Sequence, residues 1–110
     1  MKTIIITGAN GFIGSNLVNL LNKKYKLILL IRLKKNLQKN KCDSNKNISY
    51  KYFKNNNQLS EVLKKIKADW LIHCATHYVK NHQSDDVVKI INSNIEFGTI
   101  LLDNLNTMGI

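Results

Sequence analysis

This chain has no proline, one arginine, two cysteines and no long apolar run, and each shortage excludes something. Without proline, helix ends fall to asparagine and glycine, as at Asn22-Lys23-Lys24 and at Gly109. Cys42 and Cys74 are too few and too far apart for a disulfide framework, and neither sits in a C-x-x-C pair. They read as reduced thiols of a cytoplasmic protein. No segment reaches the ~18 to 20 continuous apolar residues of a membrane span. The apolar run near the N terminus is broken by Gly8 and Asn10, so it reads as a buried strand rather than a secretory leader or a membrane contact.

The shortage of arginine also qualifies the net charge of +10. Sixteen lysines accompany one arginine, sixteen asparagines and fourteen isoleucines, a mix that points to compositional bias rather than selection for a polyanion. Nucleic-acid interfaces favour arginine for bidentate contacts and interleave aromatics for stacking. Here Lys34, Lys35, Lys39, Lys41 and Lys46 are scattered through an Asn-rich stretch. A solvated basic surface is expected, with no nucleic-acid partner. A length of 110 residues allows one domain with a modest core.

Glycine is also scarce, but three of the five glycines stand three apart at Gly8, Gly11 and Gly14, directly after Ile4-Ile5-Ile6-Thr7. An apolar strand running through such a turn into a helix is a cradle for a dinucleotide's phosphates. Gly8 permits the tight turn, Gly11 lets backbone approach a pyrophosphate, and Gly14 lets the helix pack closely. The spacing is G-x-x-G-x-x-G, a variant of the usual G-x-G-x-x-G. The helix N-terminus then faces the ligand's charge, with the N–H groups of Phe12 and Ile13 as donors and Asn10 in the turn before them.

Strand and helix alternate along the rest of the chain. Strands are expected over 2–7, 26–33, 48–53 and 69–75, and helices over 11–23, 58–67 and from 84 or 85 to 106. Phe12, Ile13, Leu17, Leu20 and Leu21 give the first helix its apolar spacing. Residues 34–47 read as a polar loop, the one flexible segment. The unbroken apolar run over 26–33 suits a parallel strand covered on both faces. The expected fold class is therefore α/β, a Rossmann-type doubly wound parallel sheet, partial, in strand order 3-2-1-4. A ligand belongs where that order reverses, between the first and fourth strands.

Three segments in order carry a resemblance. Thr7-Gly8-Ala9-Asn10-Gly11-Phe12-Ile13-Gly14 resembles the T-G-x-x-G-x-x-G opening of the extended short-chain dehydrogenase/reductases, and within them the NAD-dependent epimerase/dehydratase group. Asp69-Trp70-Leu71-Ile72-His73-Cys74-Ala75-Thr76 is similar to that group's D-x-V-I-H-x-A-A, and Asn94-Ile95-Glu96-Phe97-Gly98-Thr99 to its N-x-x-G-T. The resemblance implies an NAD(P)-binding Rossmann domain over 1–110, the N-terminal portion of a nucleotide-sugar epimerase, dehydratase or reductase. In the full-length family, hydride passes between the nicotinamide cofactor and the sugar nucleotide. It also implies that Cys74, Ala75, Thr76 and Asn94 join the glycine turn in holding the cofactor, and that the long helix over 84–106 serves a homodimer.

Members that bind NAD end the second strand on an acidic residue. This chain has Ile31 there, followed by Arg32. A carboxylate would repel a 2′-phosphate, whereas Arg32 can clamp one, so NADP(H) is expected over NAD(H). Lys34 and Lys35 would add positive potential. In place of the family's Asp for the adenine amino group stand Asn55, Asn56 and Asn57.

The family's catalytic Tyr-x-x-x-Lys on a later helix has no counterpart, and no catalytic residue is assigned. Tyr50 and Lys54 fit the spacing as text only: a strand spreads four residues over ~13 Å, a helix over ~6 Å. Without that pair, a non-catalytic dinucleotide-binding remnant or sensor is the alternative reading. His73, Cys74, His77 and His82 make a poor zinc set because strand neighbours point to opposite faces. Asp85 and Asp86 are what a helix dipole selects in a first turn. Trp70 reads as packing against a helix.

Overall fold

Three consecutive isoleucines are stable in a strand only if both its faces are covered, and the computed structural model places them in the middle of the sheet. It describes residues 1–33, 45–77 and 79–110. Most of the polar loop read over 34–47, with Lys34, Lys35, Lys39, Lys41 and Cys42, lies outside the described residues.

Strand β1 (Thr3–Thr7) leads into α1 (Phe12–Leu21), then β2 (Lys26–Arg32), β3 (Ile48–Phe53), α2 (Asn56–Lys64) and β4 (Trp70–His73). The chain ends in α3 (Ser84–Ile91), a π-helical segment (Asn92–Glu96) and α4 (Phe97–Met108). All strand pairs are parallel, in the order β3-β2-β1-β4, which is the expected partial Rossmann-type arrangement.

Pleating sends Ile4 and Ile6 to the α1 face with Leu27, Leu29 and Ile31. Ile5 goes to the opposite face, where Leu30, Phe53, Leu59, Leu63, Phe97 and Leu101 close the core under α2 and α4. Each such side chain contributes roughly 1.5–3 kcal/mol on leaving water. The sheet is thus held from both sides, and the C-terminal ends of β1, β2 and β4 are fixed against one another.

Five expectations need correction. Helix α1 does not bury Phe12, Ile13 or Leu20, which are 86%, 65% and 73% exposed. It packs instead through Gly14, Val18 and Leu21, because Gly14 must lie against the turn. The helix over 84–106 is not continuous: the π-helical segment interrupts it, and α4 runs on to Met108 before Gly109, at φ 72°, stops it. Helix α2 starts earlier than expected because Asn55 caps it, its Oδ1 accepting from the Gln58 N–H at 3.2 Å. Strand β4 stops at His73: the Cys74 N–H is shared between the Thr7 carbonyl (3.2 Å) and the Thr7 hydroxyl (3.1 Å), and the Ala75 N–H turns to that hydroxyl. Trp70 packs edge-on against Tyr25, in the turn before β2, rather than against a helix.

Candidate cofactor cleft

At the C-terminal end of β1, Gly8 takes φ 71°, a conformation that L side chains rarely adopt. A Cβ at Gly8 would lie 2.5 Å from the Ala75 nitrogen, so the turn also touches the segment that follows β4. A Cβ at Gly14 would lie 2.0 Å from the Gly8 carbonyl oxygen, whereas one at Gly11 would meet that oxygen at 3.4 Å, an ordinary contact. Gly8 and Gly14 are therefore demanded by the protein itself. Gly11 is not, and its bare backbone keeps a space open.

That space faces the start of α1. The Gly8 carbonyl accepts from Gly11 N–H at 3.0 Å and the Gly11 carbonyl from Ser15 N–H at 2.9 Å. The first-turn N–H groups of Phe12, Ile13 and Gly14 have no acceptor inside the helix. No side chain caps the helix, and no acidic residue stands in its first turn. A cleft of about 880 Å³ opens here, lined by residues 8–14 and by the ends of β2 and β4. Bare glycine backbone, free N–H groups and a positive helix end suit a pyrophosphate.

The opposite wall consists of Cys74, Ala75, Thr76 and His77. The buried Thr7 side chain ties it to β1: its Oγ1 accepts from the Cys74 and Ala75 N–H groups at 3.1 and 3.2 Å. Asn94 is absent from the cleft lining. It clamps the wall from behind, its Oδ1 accepting from Thr76 Oγ1 (2.9 Å) and His77 N–H (3.0 Å), while Nδ2 donates to the His77 carbonyl (3.0 Å). The π-helical turn carries Asn94 while Phe97 stays in the core, and it leaves the Asn92 carbonyl accepting the Phe97 N–H. Nε2 of His77 is buried without a hydrogen-bond partner among the described residues. A polar ligand at this end of the cleft would meet an unsatisfied atom.

Arg32 lines the third side. Its guanidinium lies over the rings of Phe53 and Phe97, 5.2 and 5.6 Å from their centroids. It also donates to Asn56 Oδ1 at 2.6 Å, and Asn56 Nδ2 donates to the Asn92 carbonyl at 3.2 Å. This shelf fixes the guanidinium while leaving other N–H donors uncommitted among the described residues. Ile31 is buried on the α1 face, and among the described residues no carboxylate pairs with Arg32. Of the three asparagines considered for adenine, Asn55 caps α2, Asn56 holds Arg32, and Asn57 is exposed.

Tyr50 lies within β3, with Lys54 just beyond its end. Asp85 and Asp86 stand in the first turn of α3, and Asp86 also accepts from the Gln83 N–H at 2.8 Å. Among the described residues, no three His, Cys, Asp or Glu side chains come together as a metal site. No helix among them is long and apolar enough to cross a membrane. Sequence reasoning missed the aromatic shelf and the approach of Lys89, Asn92 and Ser93 to the cleft, which depends on a π-helical turn with no local sequence signature.

The sequence model of a family described as "NAD dependent epimerase/dehydratase family" matches residues 4–110. A dTDP-D-glucose 4,6-dehydratase of Dictyostelium discoideum is 34% identical over 104 residues, covering 86% of this chain and 24% of that protein. Among solved structures, a UDP-N-acetylglucosamine 4-epimerase from Methanobrevibacter ruminantium M1, in complex with UDP-N-acetylmuramic acid, superposes with a TM-score of 0.76 at 22% identity. That match covers 99% of this chain and 35% of the epimerase. The Bordetella bronchiseptica enzyme WbmH in complex with NAD+ gives 0.74 at 19% identity, covering 99% and 36%. The chain thus spans about a quarter to a third of the length of these relatives.

Proposed function

The chain belongs to the NAD-dependent epimerase/dehydratase family, and from that premise we propose that residues 1–110 are the NAD(P)-binding portion of a nucleotide-sugar epimerase, dehydratase or reductase. The observation that carries the proposal is the open cradle: an uncapped helix N-terminus, a bare Gly11, and a facing wall held in place by Thr7 and Asn94. A bound nicotinamide cofactor would supply hydride chemistry. This chain's own residues bind and orient it. Phe12 and Ile13 N–H groups take the pyrophosphate, and residues 74–76 lie along the nicotinamide half. The nucleotide sugar, like the sugar substrates named for the relatives, is the proposed substrate of the whole enzyme.

Arg32 favours NADP(H) over NAD(H) in this reading. Its half-buried guanidinium rests on Phe53 and Phe97, and among the described residues no carboxylate opposes a 2′-phosphate there. One charge-assisted contact is worth about 1.5–3 kcal/mol. Arg32→Asp should therefore weaken NADP+ binding roughly tenfold or more beyond any effect on NAD+. Calorimetric titration of both cofactors into parent and variant checks this. Equal losses for the two would make Arg32 a structural residue of the shelf.

A further inference from the structure

Thr7 is fully buried, and its Oγ1 lies 2.6 Å from His73 Nδ1, across the β1–β4 pair. The hydroxyl also receives the N–H groups of Cys74 and Ala75. Its own proton needs an acceptor, because a buried hydroxyl left undonated is destabilising. Among the described residues, the one acceptor that the structure offers it is His73 Nδ1. Nδ1 must therefore be the bare nitrogen of a neutral ring, with the proton on Nε2.

We propose that Thr7 and His73 are a positioning pair for the cofactor cleft: neutral His73 orients the Thr7 hydroxyl so that it holds the Ala75 amide against the glycine turn, and protonation of His73 releases that wall. Protonated Nδ1 would donate to Oγ1, turning the hydroxyl proton away from its acceptor and competing with Cys74 and Ala75 for two lone pairs. Ala75 is where the loss would tell, since its nitrogen lies only 2.5 Å from where a Gly8 Cβ would stand.

The surroundings agree with a neutral ring. His73 is exposed overall, and the partial burial of its ring holds its pKa below the ordinary value of 6.5. Among the described residues, the groups seen against the ring are Thr7 from β1 and Phe97 from α4, neither of them charged. Arg32 lies on the same Phe97 ring, Glu96 is exposed, and the one ion pair among the described residues, Lys2–Asp69, is at the opposite end of β1 and β4. With its folded pKa lowered, His73 contributes stability that is complete above the unfolded value and is lost as pH falls through the folded one.

The test has two arms. Long-range proton–nitrogen correlation on the 15N-labelled 110-residue chain, with His77→Gln and His82→Gln to assign signals, reads the pair without cofactor. It should show an Nε2–H tautomer for His73, with a midpoint below 6.5 that Thr7→Ser preserves and Thr7→Val raises. An Nδ1–H tautomer, or a midpoint at or above 6.5, overturns the pair, and the parent spectrum decides this even if Thr7→Val does not fold. The second arm rests on the cofactor reading. NADP+ affinity should fall about threefold to tenfold between about pH 7.5 and about pH 5, the scale of one lost hydrogen bond. His73→Asn, which keeps an acceptor near Oγ1 but cannot be protonated, should flatten that profile. Parallel profiles for parent and variant overturn the positioning role. Absence of NADP+ binding at every pH overturns the cofactor reading and this role together, while the nitrogen spectrum still decides the pair.

Discussion

Gly11 and Gly14 look alike in the sequence, but different atoms stand behind their missing side chains. At Gly14 a methyl group would overlap the Gly8 carbonyl; at Gly11 it would touch it only in ordinary contact. Gly14→Ala should therefore lose about 1–3 kcal/mol through overpacking, more than the gain in helix propensity of up to ~1 kcal/mol. Gly11→Ala, at the helix N-cap, should stay within about 1 kcal/mol of the parent. Thermal or urea unfolding of the two variants checks the order, and equal stability would mean that α1 can shift on the turn. The tight turn at Gly8 and the close packing at Gly14 were legible in the spacing. The state of Arg32 was not, because a guanidinium resting on Phe53 and Phe97 depends on contacts between positions far apart in sequence.

At the scale of elements, periodicity located the strands and helices of the described residues but not the faces or the breaks. Phe12, Ile13 and Leu20 have helical spacing and still face outward, because the turn pulls Gly14 rather than an apolar side chain onto the sheet. The run after residue 84 reads as one helix, yet its π-helical turn serves Asn94 and Asn92, whose partners Thr76, His77 and Asn56 lie elsewhere in the chain. The same run leaves Val88, Ile91, Ile95 and Leu102 44–70% exposed. Such an apolar ridge is costly in water. A second copy packing through α3 and α4, as the family resemblance implies, would cover it, so the isolated chain should self-associate. Sedimentation at micromolar concentration checks this, and a monodisperse monomer that gains nothing in mass with concentration would contradict it.

For the whole molecule, the sheet order brings three sequence-distant features to one rim: the glycine turn after β1, Arg32 at the end of β2, and the wall after β4. That convergence follows from alternating strands and helices with right-handed crossovers. It places the cleft where the strand order reverses. The central claim is that the cradle at this rim holds a nicotinamide dinucleotide through backbone N–H groups. The most direct measurement is titration of NADP+ and NAD+ into the parent chain and Gly11→Val, with circular dichroism to verify the fold. The valine Cβ should be tolerated by the turn while its branches fill the pyrophosphate space. The parent should bind saturably and the variant at least about a hundredfold more weakly, the scale of one or two lost charge-assisted contacts, without loss of structure. Equal affinity of a folded Gly11→Val for both cofactors would contradict the claim.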